Sequence, residues 1–373
     1  MSTVQICKRC IMDDLADPTI SFDRDGICNY CNDAGSRMET CYFPNAEGEK
    51  KLSQLISFLK EQGKNKDFDC LMGISGGVDS SYLAYLGAVK WGLRILAVHV
   101  DDGFNTPQAV ENINNLCQKA NIDLKVIKPD AEQFCALTRA FILAGVPNIA
   151  IPQDNVLTAI LYKQASKYKI NHFLSGANFS LESILQRGNT HNAMDTVHIK
   201  AINRRFGNRS IKNLPLIGIW DKYVFQNYVK GVKTYRPLNY IDYNLENALQ
   251  ELADFSGYRY YGAKHCESYL TKFMQWHYLP VKFNVDKRKS HLSSLIVSGQ
   301  MSREEALAAM EKTMYDQDEL QKDLQLIADK LGFSPAELTE LVKAPGHAHS
   351  EYAQSYWIRF SALARKVRFL FGE

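Results

Sequence analysis

Residues 75–81, Ser-Gly-Gly-Val-Asp-Ser-Ser, constrain this chain more than any other stretch. They follow the apolar run Cys70-Leu71-Met72-Gly73-Ile74 and precede a helix-like stretch from Tyr82 to Trp91, which reads as strand, glycine turn and helix start. Gly76 and Gly77 let the backbone turn tightly, and Ser75, Ser80 and Ser81 add hydroxyl donors. The new helix N-terminus aims its amide N–H groups and positive dipole end at whatever sits there. Such a turn suits an anion, above all a phosphate chain. No lysine closes it and Asp79 stands at its centre, so it is not the G-x-x-x-x-G-K-[ST] loop of kinases and GTPases.

From Asp69 onward the pattern alternates: strand 70–74, helix 80–91, strand 94–100, helix 106–120, strand 124–128. The alternation predicts an α/β fold with a parallel sheet. The second strand ends in Asp101-Asp102-Gly103-Phe104. Ligands of such sheets sit beyond the carboxyl ends of the strands at a switch point, so backbone groups from Val98 to Val100 are expected to read an adenine. His99, inside the apolar strand, reads as a satisfied core histidine. An amphipathic segment from Ile151 to Tyr168 leads to a further strand, 172–175, and then to Gly176-Ala177-Asn178-Phe179-Ser180-Leu181-Glu182, a turn with an acid one helical turn later.

Residues 187–237 are rich in basic and polar side chains (His191, His198, Lys200, Arg204, Arg205, Arg209, Lys212) and read as an insertion over the sheet, either a flap for an anionic substrate or a solvated charged face. The last hundred residues read as helical, with capping boxes at Ser302/Glu305 and Ser334/Glu337. Before them lies a polar stretch, Lys264-His265-Cys266-Glu267 and then Asp286-Lys287-Arg288, where anionic ligands are expected to be gripped.

Cys7, Cys10, Cys28 and Cys31 form two C-x2-C pairs seventeen residues apart, the spacing of a four-thiolate zinc ribbon. A redox dithiol and an iron–sulfur site are the competing readings; structural zinc is preferred because four thiolates leave no open coordination position. Asp17-Pro18 and Asp23-Arg24-Asp25-Gly26 read as turns between short strands. The other five of the nine cysteines, Cys41, Cys70, Cys117, Cys135 and Cys266, read as small buried or neutral residues, and the odd total argues against a secreted disulfide framework. Expected domains are residues 1–45, 46–260 and 261–373.

With 44 basic and 41 acidic residues the net charge is +3, too balanced for the electrostatic footprint of a nucleic-acid binder. No run of eighteen apolar residues and no charged-then-apolar leader is found, so a cytoplasmic enzyme without membrane insertion is expected.

The loop Ser75–Ser81 resembles the SGGxDS signature of the PP-loop ATP family (adenine nucleotide α hydrolase-like), whose members cleave ATP between its α and β phosphates. The resemblance implies that Ser75, Gly76, Gly77, Ser80 and Ser81 hold departing pyrophosphate, with Val98, Val100 and Gly176 completing the ATP site, and that Asp79 helps bind Mg²⁺. Glu182 matches the glutamate after the fourth strand that can bind Mg²⁺, although its spacing from Asn178 is one residue longer than in NAD synthetases.

Over nearly its full length the chain resembles the WbpG-like N-acetyl sugar amidotransferases of bacterial surface-polysaccharide (O-antigen) synthesis. Carrying the resemblance are Cys7-Lys8-Arg9-Cys10 with Cys28–Cys31, the loop, Tyr261–Glu267, Leu279–Arg288 and Ser298–Ala306. That family implies ATP-dependent conversion of an acetamido group on a nucleotide sugar, a UDP-linked diacetamido uronic acid, into an acetamidino group, with AMP and pyrophosphate released. It makes Asp79, Lys264, His265 and Glu267 the catalytic candidates and Arg187, Lys264, His265, Asp286, Lys287 and Arg288 the substrate grips. No cysteine nucleophile of a built-in glutaminase is recognised, which implies a separate ammonia-supplying glutaminase/cyclase partner like that of imidazole glycerol phosphate synthase. The rival reading is a PP-loop tRNA thiolation enzyme, which would need a persulfide-carrying cysteine or a cluster near the loop.

Overall fold

The structure, a computed structural model, describes residues 4–358. The ends of the two outer expected domains, 1–3 and 359–373, lie outside the described residues. Five parallel strands, β1 (Cys70–Gly73), β2 (Ile95–Val100), β3 (Asp123–Ile127), β4 (His172–Leu174) and β5 (Lys233–Tyr235), form one sheet in the order β3-β2-β1-β4-β5. Alternate residues serve opposite faces: Leu71, Leu96, Val98 and Phe173 pack with the helices Ala131–Ala144 and Ile151–Tyr168, while Cys70, Met72, Ile95, Ala97 and Leu174 pack with Val78–Tyr85, Pro107–Lys119 and Leu245–Ser256. Both faces are covered, so the central strands are apolar throughout rather than alternating.

The chain leaves β1 toward β2 and β3 and then returns to β4 on the other side of β1. The switch point therefore lies between the carboxyl ends of β1 and β4, where a ligand crevice belongs. Gly176, just past β4, permits this: a Cβ there would lie 2.9 Å from the Asp79 carbonyl carbon and 3.0 Å from the Ser80 nitrogen.

Three elements differ from the sequence expectations. The expected helix 80–91 starts earlier, at Val78, and its last turn, Leu86–Lys90, is π-helical. Ala131–Ala144 is a helix for which no prediction was made; eight of its fourteen residues are buried, which blurs the amphipathic period. The 187–237 insertion contains a helix, Thr196–Phe206, and ends by supplying the edge strand β5. Its Lys200, Arg204, Arg205, Arg209 and Lys212 are exposed. His191 and His198 instead turn inward and meet His349, with ring centroids 4.3–5.2 Å apart and His198 Nε2 3.0 Å from His349 Nδ1.

The cysteine-bearing segment does not stand apart. It shares a small core with Phe179, Ile184 and Val297, and the helix Asn29–Cys41 begins on its second cysteine pair. Arg303 donates to the carbonyls of Cys7 and Cys10, and Ile11 N–H donates to Ser293 Oγ, tying the segment to the C-terminal helices. Among the described residues no helix is long and apolar enough to cross a membrane.

Two outcomes test this architecture. Gly176→Val forces a side chain against the backbone of residues 79 and 80 and is expected to destabilise the protein by about 1–3 kcal/mol, read as a lower Tm. Burial and His191 push His198 down to about 4, and burial and His198 push His349 down to about 3. Both rings are thus neutral when folded and take up protons on unfolding below about pH 6.5, so the unfolded state binds more protons and stability falls on acidification. The urea midpoint is expected to be lower at pH 5 than at pH 7, and His349→Phe is expected to shrink that difference.

Candidate active site and cysteine cluster

The helix Val78–Tyr85 starts at Gly77, and no side chain caps it. Its first amides are therefore left to a ligand. Gly76 holds φ +87°, and its carbonyl accepts from the hydroxyls of Tyr258 and Tyr261, both at 2.9 Å. These two tyrosines satisfy the loop carbonyl and so hold the turn in place. Ser75 Oγ accepts from Gly77 N–H at 3.1 Å and lies 3.3 Å from Ser80 Oγ.

A cavity of about 500 Å³ opens beyond the sheet, large enough for a nucleotide-sized ligand. Ser75, Gly77, Asp79, Ser80, Val100, Gly176 and Glu182 line it, and so do Lys264, His265, Glu267 and Lys287. The structure thus brings together proposed site residues from segments far apart in the chain. Six others do not line the cavity. Val98 is fully buried and its carbonyl accepts from Ile74 N–H. Ser81 is also fully buried, on the packed side of its helix. Arg187 pairs with Asp33 and lies over the Tyr30 ring. Asp286 and Arg288 satisfy each other, and Arg288 also donates to the Lys312 and Met310 carbonyls, so this pair holds the C-terminal region together instead of lining the cavity. Gly76 acts through its backbone, as above.

Asp79 is the most connected group. Its Oδ1 accepts from Tyr243 at 2.6 Å and from Asn178 Nδ2 at 3.1 Å. Its Oδ2 faces Lys264 Nζ at 3.3 Å, and that ammonium reaches Glu182 Oε1 at 2.8 Å. Burial opposes the charge on Lys264, but the two carboxylates outweigh it and hold the pKa above its ordinary value. Two carboxylate oxygens flanking one positive point are a fitting donor set for a hard divalent cation such as Mg²⁺. Burial raises the Glu267 carboxyl, and Asp79 adds to the effect; its Oε1 lies 3.4 Å from Ser75 Oγ. Burial and Lys264 push His265 down to about 3, and burial lowers Lys287, which has no ion-pair partner among the described residues.

Tyr243, Tyr258, Tyr261 and Asn178 escaped sequence reasoning. Tyrosines carry no spacing signal; only Asn178, in a turn already singled out, offered a hint. His99 matches its expected role in part, since Nδ1 pairs with the Ile74 carbonyl at 2.9 Å, but Nε2 is buried with no partner among the described residues.

The four ribbon cysteines are fully buried and their sulfur atoms all lie within 4.8 Å of one another. Cys7 and Cys31 sulfurs are 3.9 Å apart and Cys10 and Cys28 sulfurs 3.8 Å, far beyond a disulfide bond of about 2.05 Å. Thiolates at about 2.3 Å around a tetrahedral ion are separated by roughly 3.8 Å. Backbone N–H groups of Cys10, Met12, Cys28 and Cys31 point at the sulfurs. The set fits one metal ion. Cys28→Ser is expected to lose about one bound metal per chain, counted by elemental mass spectrometry, with a lower Tm.

Comparison with known proteins agrees with this layout. Residues 51–169 match the NAD synthase family, and residues 267–365 match the family described as LPS biosynthesis protein WbpG-like, C-terminal domain. The chain is similar to the uncharacterized protein MJ1599 of Methanocaldococcus jannaschii, 28% identical over 125 residues, 33% of this chain and 43% of that protein. It is 30% identical over 126 residues to the glutamine-hydrolyzing GMP synthase of Elusimicrobium minutum, 33% of this chain and 23% of that protein. The match thus spans less than half the length of either relative. Among solved structures, NMN synthetase from Francisella tularensis is 20% identical, with 61% of this chain and 92% of that chain covered and a TM-score of 0.29. The U34-tRNA thiolase NcsA from Methanococcus maripaludis, solved with its [4Fe-4S] cluster, is 17% identical, with 86% and 96% covered and a TM-score of 0.33. The chain thus joins an ATP-utilising, PP-loop domain of the NAD synthase family, residues 51–169, to a WbpG-like C-terminal domain, residues 267–365.

Proposed function

We propose that the protein is an ATP-dependent amidotransferase of lipopolysaccharide O-antigen synthesis. Its substrate is a nucleotide-activated sugar, a UDP-linked 2,3-diacetamido-2,3-dideoxy uronic acid, and it converts one acetamido group into an acetamidino group. The observation that carries this reading is a single cavity lined by the phosphate loop of the NAD synthase-like part and by Glu267 and Lys287 of the WbpG-like part. A domain that activates with ATP and a domain that selects the sugar would meet at one reacting centre.

An amide oxygen is a poor leaving group, so ammonia alone does not replace it. The amide oxygen attacks the α-phosphorus of ATP, the bond to the β-phosphate oxygen breaks, and pyrophosphate leaves with that electron pair. Ammonia then adds to the activated carbon, the carbon–oxygen bond breaks, and AMP leaves with its electron pair, giving the amidine. The uncapped amides and Ser75 and Ser80 receive the pyrophosphate, a positioning and electrostatic role. Asp79 and Glu182 would hold Mg²⁺, which would supply neutralising charge for that departure. Lys287, buried without a counter-ion among the described residues, suits the diphosphate or uronate of the sugar. His265, at about 3, is a weak proton acceptor; Glu267, with its raised pKa, is the better group to take a proton from the attacking ammonia. The cysteine cluster would hold structural zinc, which organises the N-terminal segment against the C-terminal helices.

None of the described cysteines lines the cavity, in keeping with ammonia delivered by a separate glutaminase/cyclase partner. The same fact weighs against thiolation: Cys266, beside the site in sequence, is buried and its thiol is pushed up to about 12, unsuited to carrying a persulfide. The test is mass spectrometry of a UDP-diacetamido uronate incubated with the protein, Mg·ATP and ammonium. Replacement of an amide oxygen by nitrogen with AMP and pyrophosphate released is the expected outcome, and Asp79→Ala is expected to abolish it. Intact ATP with sugars, but turnover with tRNA and a sulfur donor, would overturn the proposal.

A further inference from the structure

The carboxylates of Asp79 and Glu182 already share a cation. Lys264 Nζ lies 2.8 Å from Glu182 Oε1 and 3.3 Å from Asp79 Oδ2, with its side chain only 15% exposed. Asp79 has no other oxygen to offer, because Tyr243 and Asn178 occupy Oδ1. A magnesium ion coordinates oxygens at about 2.0–2.1 Å. An ion on Asp79 Oδ2 and Glu182 Oε1 would have to contend with the ammonium that already sits against those two oxygens.

Lys264 also belongs to a segment with an unusual backbone held by several anchors. Gly262 holds φ +83° and His265, which has a side chain, holds φ +66°. A side-chain-bearing residue rarely stays in that region unless its surroundings hold it there. The anchors here are Tyr261 on Gly76, Glu267 on Ser75, and Lys264 on the carboxylate pair.

From these contacts we infer that Lys264 is a built-in stand-in for the divalent ion: it neutralises Asp79 and Glu182 before nucleotide arrives and is displaced when the metal enters. The released ammonium then lies in the phosphate-binding cavity, where it adds a positive charge to the bound anion. Without nucleotide, metal must compete with a tethered cation and binds weakly; with nucleotide, the phosphates receive both cations and the exchange becomes favourable. Lys264 thereby couples metal binding to the presence of ATP. The inference rests on Asp79 and Glu182 being the metal pair.

The experiment measures Mn²⁺ binding by electron paramagnetic resonance, using full-length protein whose cysteine site is filled with zinc, with and without a non-hydrolysable ATP analogue. Nucleotide-free Lys264→Met protein is expected to bind Mn²⁺ at least tenfold more tightly than the natural protein, and Lys264→Arg, which keeps the charge, is not. Adding Glu182→Gln to Lys264→Met is expected to remove the gain. Equal nucleotide-free affinity in Lys264→Met and the natural protein, with Glu182→Gln weakening both, would overturn the exchange and leave the metal pair standing. Mn²⁺ binding indifferent to Glu182→Gln, even with nucleotide, would overturn the metal pair and the exchange together. Should Lys264→Met fail to fold, Lys264→Gln, which also lacks the charge, serves in its place with the same expectations.

Discussion

Everything around the cavity depends on keeping one carboxylate, that of Asp79, in a largely enclosed place. An ionised carboxylate removed from water is costly unless hydrogen-bonded and paired. Here the partners come to Asp79, just after β1, from three separate parts of the chain: Tyr243 just before the helix Leu245–Ser256, Asn178 after β4, and Lys264 in the segment that precedes the WbpG-like domain. Satisfying this one charge fixes how those parts approach each other. It also explains why Gly176 must be bare, since the turn that carries Asn178 runs against the backbone of Asp79.

What the sequence made legible was whatever is encoded locally. The loop 75–81 could be read because strand, turn and helix start are consecutive, and the cysteine pairs because a metal site imposes spacing. Charge was a poorer guide. Arg187 and Arg288 looked like anion grips, yet each is already paired, Arg187 with Asp33 from the distant N-terminal segment and Arg288 with Asp286 two positions away. Lys287, one position from Arg288, lines the cavity, and with Asp286 taken up by Arg288 it has no ion-pair partner among the described residues. Adjacent like charges thus acquire opposite duties from packing alone.

The tyrosines illustrate the complementary failure. Tyr258 and Tyr261 both donate to the Gly76 carbonyl, from nearly two hundred residues away. Nothing in a tyrosine's local context marks it as the support of a phosphate loop. Likewise His191 and His198 read as part of a basic surface, but both are packed with His349, His191 lies against the Asp195 carboxylate, and burial pushes His198 down to about 4. A residue type whose charge depends on its surroundings cannot be assigned a charge from the sequence, so the expected basic insertion is less basic than its composition.

The same reasoning bears on the cavity's field. His265 and His291 face each other across 5.5 Å, and burial drives both pKa values down, so neither ring contributes charge at neutral pH. Among the described residues, the lysine ammoniums that line the cavity are those of Lys264 and Lys287. Lys264 is committed to carboxylates and Lys287 is not. An incoming anion thus meets two kinds of hold that are not already spent on a carboxylate, the Lys287 ammonium on the WbpG-like side and the uncapped amides on the loop side. A low-dielectric interior strengthens both relative to water, so the cavity draws anionic groups without needing either histidine to be charged.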